Sequence, residues 1–244
     1  PTNWCTVNSK TIPNKGVENT WYMASSTDQD MGETGYGVRI RSVAWDNEGD
    51  NIEVVGSIFN GHDKYASLET RNTPPGRLFL GSYQYDHITN KETYNEGITF
   101  TSRPSKLIFD YKYQLYNQYN SDMGYVEIRV EHHDESGNIT ILAKAIKDLP
   151  QQDRYITESI DLKPQYKEQG FEYGSNCPKP THICLMFCSS LYGKEKKQSA
   201  EQNISVPEIK DSKMVATLIG NALYIDNIKF CLLYTSDAAD DLLC

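Results

Sequence analysis

Hydrophobic and polar residues alternate along most of this chain. In "GYVEIRVEHH", Val126, Ile128 and Val130 face one way and Glu127, Arg129 and Glu131 the other. "YGVRIRSVAW" sets Val38, Ile40 and Ala44 against Arg39, Arg41 and Trp45, and "SKLIFDYKYQLY" aligns Leu107, Phe109, Tyr111, Tyr113 and Leu115. Strand side chains point alternately to two faces, so this period of two predicts antiparallel strands with one buried side. "THICLMFCSS" differs, because Ile183, Leu185 and Phe187 oppose His182, Cys184, Met186 and Cys188, and both sets are largely apolar. A strand of that kind belongs in the middle of a sheet. "ALYIDNIKF" predicts another strand near the end.

Turn signals separate these runs: "DNEGDN", "NTPPG", "DESGN", "LPQQD" and "KPQYKEQG". Helical periods are scarce, and the best is a short turn in "KYASLETRN". There is no internal repeat and no linker, and the polar stretch from Gly193 to Met214 reads as a long surface loop. The expected fold is therefore all-β, a two-sheet antiparallel β-sandwich of jelly-roll type, in one domain over residues 1–230.

Composition narrows the function. A chain of 244 residues can bury a substantial core, roughly 70% of its unfolded surface. A net charge of −9 argues against a nucleic-acid partner, since phosphate recognition wants a basic face. No apolar run approaches the ~20 residues of a membrane span. No Met and no basic-then-apolar signal opens the chain, so Pro1 is expected to follow a lost native start, as in a mature or fragmentary exported protein.

Catalytic motifs are missing: no nucleophile elbow, no phosphate loop, no H-E-x-x-H. "HHDE" (His132 to Glu135) holds metal-ligand residue types, but it runs into "SGN", and adjacent strand residues point apart, so a solvated hairpin turn is the better reading. No cofactor is expected, although "NEGDNIE" (Asn47 to Glu53) could offer hard oxygens to a structural calcium ion. A glycosidase needs two carboxylates roughly 5–10 Å apart; with 33 acidic residues some pair will always fit, so abundance selects none. Cys184 and Cys188 share a strand face and are expected as buried free thiols, while Cys5 and Cys177 could pair in an oxidising compartment.

Aromatic residues are the remaining signal, with 17 tyrosines in the chain. Tyr and Trp rings serve as flat apolar platforms for sugars, with nearby polar groups holding the hydroxyls. The candidates are Trp45, Tyr83, Tyr85, Tyr111, Tyr113, Tyr116 and Tyr119. Tyr111 and Tyr113 share the face of Leu107 and Phe109, which favours the core; Trp45 lies opposite the apolar face, and Tyr116 and Tyr119 could form a rim. Arg103, before Pro104, could meet a sugar hydroxyl or anchor the strand entry.

An ordered set of motifs supports a family resemblance: "GRLFLG", "GITFTSRP", "YKY", "SSLYG" and "LYIDN", spread through Trp4 to Phe230. Together they resemble the "putative carbohydrate metabolism domain" of exported proteins in anaerobic gut bacteria. Arg77 stands where that family has Asn, and the loop after Gly193 is longer. The resemblance implies a sandwich like carbohydrate-binding modules, often on a cell-surface lipoprotein, with other domains in the full-length protein. On the residues themselves, Gly76 and Gly97 suit turns, Pro104 a strand start, and Asp226 and Asn227 should pin or terminate the last strand.

The expected function is a non-catalytic glycan-binding or accessory module of an exported protein, at the cell surface or in the periplasm, with a polysaccharide or oligosaccharide as partner. A structural or adhesive module and a glycoside hydrolase or lyase are the alternatives. The tail stands apart. "CLLYTSDAADD" (Cys231 to Asp241) resembles one reading frame of the transposon-end adapter used in shotgun sequencing libraries. On that reading residues 231–244 are non-native, the chain is a metagenomic fragment, Cys231 is unpartnered, and nothing from Thr235 onward packs on the domain. The net charge would then move from −9 to −6, because Asp237, Asp240 and Asp241 leave with the tail.

Overall fold

The computed structural model describes residues 3–11, 25–43, 75–86, 89, 91–115, 122–174, 176–191 and 219–232. Two antiparallel sheets form the fold. The first has the order β1 (Trp4–Thr6), β4 (Arg77–Asp86), β11 (His182–Cys188), β8 (Gly124–His133) and β9 (Ile139–Leu149), with β5 (Lys91–Glu96) on the far half of β4 and β6 (Ile98–Thr99) on β11. The second has the order β10 (Gln152–Asp161), β7 (Pro104–Gln114), β12 (Ile219–Leu232), β3 (Tyr36–Val43) and β2 (Thr27–Met31). Among the described residues two short helices, α1 (Asn8–Thr11) and α2 (Lys163–Glu168), lie beside them. Among the described residues, only the hairpins β2–β3, β4–β5 and β8–β9 keep consecutive long strands in one sheet; the other long strands alternate between the sheets, the jelly-roll manner of closing a sandwich.

Alternation decides what lies inside. Val126, Ile128 and Val130 of β8 and Ile183, Leu185 and Phe187 of β11 meet Leu107, Phe109, Tyr111 and Tyr113 of β7 and Leu223 and Ile225 of β12. Phe109 and Phe187 touch edge to face across the sheets at 5.1 Å. Each such large apolar side chain contributes roughly 1.5–3 kcal/mol on burial. β11 is central in the first sheet, as its two apolar faces require.

Several local expectations hold. β7 begins at Pro104. Asp134 closes the β8–β9 turn by accepting from the amides of Ser136 and Asn138, with Gly137 at φ +83. Asp226 accepts from the amide of Thr34 and from that of Asn227. It sits within β12 at a register slip where Asn227 has φ +51, so it pins the strand without ending it.

Other expectations change. "KPQYKEQG" was expected as a turn but holds α2, which starts with Pro near its first position, where a missing N–H does no harm, and buries Tyr166. Cys5, Cys177, Cys184 and Cys188 are all free thiols, so Cys5 and Cys177 do not pair, and Cys231 is disulfide-bonded. β12 runs through Leu232, with Cys231 buried and its carbonyl accepting from the Ser105 hydroxyl. The turn in "KYASLETRN", the loop from Gly193 to Met214 and the tail from Thr235 lie outside the described residues.

Candidate functional site

The outward face of the first sheet is built around a change of partner within β4, at Gly81. Up to Leu80 the strand pairs with β1 and β11, placing Leu78 and Leu80 in the core and Arg77 and Phe79 on the outer side. At Gly81, with φ +138, the strand turns away and pairs instead with β5. Only glycine fits, because a Cβ there would run into the carbonyl oxygen of Asn95. Beyond Gly81, Tyr83 lies opposite Tyr94, and Tyr85 opposite Glu92.

This register stacks an aromatic cluster outside the main core. Tyr83 and Tyr94 have ring centroids 4.8 Å apart, and Phe79 and Tyr94 5.8 Å. The Arg77 guanidinium lies 5.5 Å from the Tyr94 ring centre on the other side. Val7 is buried in the same cluster, with Cys5, Tyr85 and Met186 packed against it. Beside it opens a groove of about 520 Å³, lined by Ser9, Tyr83, Gln84, Tyr85, Asp86 and Lys91, with Thr93.

Tyr94 donates to Glu92 Oε2 at 2.5 Å. Burial, and then the Glu92 carboxylate, push the Tyr85 hydroxyl up to about 12. Burial likewise raises Tyr83 and Tyr94. Tyr83 has Tyr94 as a polar neighbour, yet its buried hydroxyl meets no group at hydrogen-bonding geometry. A half-buried ring with polar groups around it can stack on the apolar face of a ring-shaped ligand and exchange hydrogen bonds with its hydroxyls.

Next to the groove the same face carries a charge cluster. Glu127, Arg129 and Glu131 alternate outward on β8, and Glu96 ends β5. One guanidinium serves all three carboxylates: Glu96 and Glu127 at 2.8 Å and Glu131 at 3.0 Å. Lys144 reaches Glu127 at 3.5 Å, and His133 Nε2 meets the second oxygen of Glu131 at 2.8 Å. Burial pushes the Glu131 carboxyl up, but the hydrogen bonds from His133 and Arg129 outweigh it and hold the carboxyl below its ordinary value. A carboxyl held ionised cannot act as a general acid at neutral pH.

The outward face of the second sheet is different. A row crosses it in register: Asp28, Arg39, Tyr224 and Lys112. Arg39 holds Asp28 through two nitrogens at 3.0 Å and Asp30 at 2.9 Å. Lys112 Nζ sits 4.0 Å from the Tyr224 ring centre and 5.3 Å from that of Tyr155. Tyr224 donates to Gln114, and Tyr155 to the carbonyl of Met31.

Two of the expected platform residues are corrected. Tyr111 and Tyr113 are 1% and 0% exposed, so they face the core and offer no ring to a ligand; Tyr113 instead donates to the carbonyl of Ser189, tying the two sheets together. Arg103 donates through Nη2 to the carbonyls of Cys177 and Pro178 at 2.8 and 3.0 Å, an anchor for the loop before β11. Trp45, Tyr116 and Tyr119, and the calcium candidate at Asn47 to Glu53, lie outside the described residues. Tyr83 and Tyr85 do come together, joined by Tyr94 and Phe79, which the sequence reading missed. "KETYNE" is rich in Lys, Glu and Asn, which are poor strand formers, and only its alternation of Glu92, Tyr94 and Glu96 signals a strand.

No family model matches the chain and no curated protein does, so the family resemblance rests on its motifs alone. Among solved structures, the fold is similar to that of a "putative glycoside hydrolase" from Bacteroides thetaiotaomicron, at 16% identity and a TM-score of 0.50, over 87% of this chain and 57% of that one. The chain therefore spans little more than half the length of that protein. A second protein so described, from Bacteroides vulgatus, matches at 15% identity and a TM-score of 0.48, over 86% and 78% of the two chains. A family 11 carbohydrate-binding module from Clostridium thermocellum, in complex with a β-1,3-1,4-mixed-linked tetrasaccharide, matches at 10% identity and a TM-score of 0.35, over 94% and 89%. At such identities a likeness speaks to the fold alone.

Proposed function

We propose that this chain is a non-catalytic carbohydrate-binding module of an exported bacterial protein, and that an oligosaccharide or polysaccharide chain binds in the β4–β5 groove. One observation supports this reading above the others: Tyr85 stands half-buried at the groove, backed by Tyr83 and Tyr94, with hydroxyl, amide, carboxylate and ammonium groups around it. The ring supplies a stacking face, and Ser9, Gln84, Asp86, Lys91 and Thr93 supply donors and acceptors for hydroxyls. Full-length neighbouring domains would carry any chemistry.

Affinity electrophoresis on gels containing plant, host and microbial polysaccharides tests the reading. Retardation on at least one glycan, lost in Tyr85→Ala, is the expected result; free migration on all of them would overturn it. A hydrolytic reading would draw on Glu96, Glu127 and Glu131, which lie on the same face. Arg129 binds all three and Glu131 is held ionised, which disfavours it. Sizing the bound glycan after prolonged incubation separates the two, since a binding module leaves the chain length unchanged.

A further inference from the structure

His133 and His182 lie side by side at adjoining ends of β8 and β11. Their imidazole rings are stacked, with centroids 3.7 Å apart and planes 14° from parallel. His133 also meets the buried carboxylate of Glu131, whose other oxygen is held by Arg129. His182 Nδ1 is 3.0 Å from the Thr181 hydroxyl. The Glu131 carboxylate thus lies against one ring of the stack and the Thr181 hydroxyl against the other. Protonating both rings would set two imidazolium ions face to face at a separation where like charges repel strongly.

The pair closes a segment. Thr181 donates its amide to the Glu131 carbonyl, and the His133 amide donates to the Thr181 hydroxyl. His132 Nδ1 meets the carbonyl of Lys179 at 2.7 Å, and Arg103 holds the carbonyls of Cys177 and Pro178. The Cys177 side chain is buried beneath. Around the pair, β8 contributes Glu131 with Arg129 behind it, His132 on the opposite side and Asp134 at the turn. β11 contributes Cys184. β6 and β9 place Thr99, Ile139 and Thr140 alongside, none of which titrates.

We propose that the His133–His182 stack is an acid-sensitive latch on residues 176–181: it holds the segment closed with one proton or none, and a second proton parts the rings, lifts the segment and uncovers Cys177. The sign follows from His182. Burial, and then the charge of His133, lower its value against the opposing pull of Glu131. A base lowered by folding costs nothing above its unperturbed value of about 6.5. The destabilisation grows as pH falls below that and through the folded-state value.

Thiol labelling tests the latch. Dithiodipyridine reacts in acid, and peptide mass spectrometry can follow Cys177 and Cys188 separately in the whole chain from about pH 7.5 to about pH 5. Relative to a free thiol peptide, Cys177 should react at least ~10-fold faster at the acid end. Cys188, 0% exposed in the core, should stay protected. His182→Gln should remove the rise, and His182→Phe, which keeps a stacked ring without a titrating nitrogen, should do the same if the first variant folds poorly. A flat wild-type profile would overturn the latch. So would Cys188 opening in step with Cys177, which signals unfolding of the whole domain, or an undiminished rise in both variants.

Discussion

On the second sheet, Arg39 is matched by Asp28 and Asp30, Lys112 lies over two tyrosine rings, and Tyr224 and Tyr155 donate to fixed acceptors. On the first sheet, Arg129 gathers three carboxylates in a half-buried strip, and beside it an aromatic cluster leaves Tyr85 along a groove and the Tyr83 hydroxyl without a hydrogen-bonding partner. The residue types are much the same. What differs is how deeply they are buried and what remains for a ligand to meet. A row of half-buried polar groups that answer one another leaves little for a ligand to meet, while a groove with a ring along its wall can hold one.

The comparison can be broken at its strongest point first. Arg129→Ala leaves Glu131, with 8% of its side chain exposed, without its guanidinium and should cost about 3 kcal/mol or more in a denaturant titration. Arg39→Ala, whose partners are close to one-third exposed, should cost less than about 1 kcal/mol. Equal losses would erase the distinction between the faces. Gly81→Ala comes next, with an expected loss of about 2 kcal/mol from the strained backbone and the closed space, together with weakened glycan retention. A variant as stable as the parent, still binding, would show that the backbone at Gly81 sets neither the stability nor the groove.

The binding comparison is smaller in energy but sharper in location. Tyr85→Ala should weaken retention on a responsive polysaccharide by about 10-fold, or ~1.4 kcal/mol, with little change in the unfolding midpoint. Tyr224→Ala should change retention less than about 2-fold, because its ring is covered by Lys112. The reverse ranking in affinity gels would move the site to the second sheet. The smallest effect expected is for Gln84→Ala, an exposed groove residue, at about 2-fold.

The fold was largely legible because alternation is a local property. β3, β7, β8, β11 and β12 can be read from residues two apart, and the Asp134 turn from five consecutive residues. α2 was not, since a six-residue helix has too few turns to show a period against the Pro and Gly around it. The groove was half legible. Tyr83 and Tyr85 carried the right chemistry, but what brings Tyr94 against them is the β4–β5 register that begins at Gly81, which no strand pattern discloses. For Tyr111 and Tyr113 the pattern was informative about the face and silent about the ligand: both share the side of Phe109, and both are core.

The change of partner at Gly81 also has an evolutionary side. It divides one strand between two tasks, the core on one side and a two-stranded ribbon on the other. Residues such as Gln84, Asp86, Lys91 and Thr93 can then be exchanged without disturbing the layers beneath. Substitutions on the ribbon can therefore reshape the groove while the sandwich keeps its stability margin, so in a scaffold of this kind the surface of the ribbon can diversify faster than the fold.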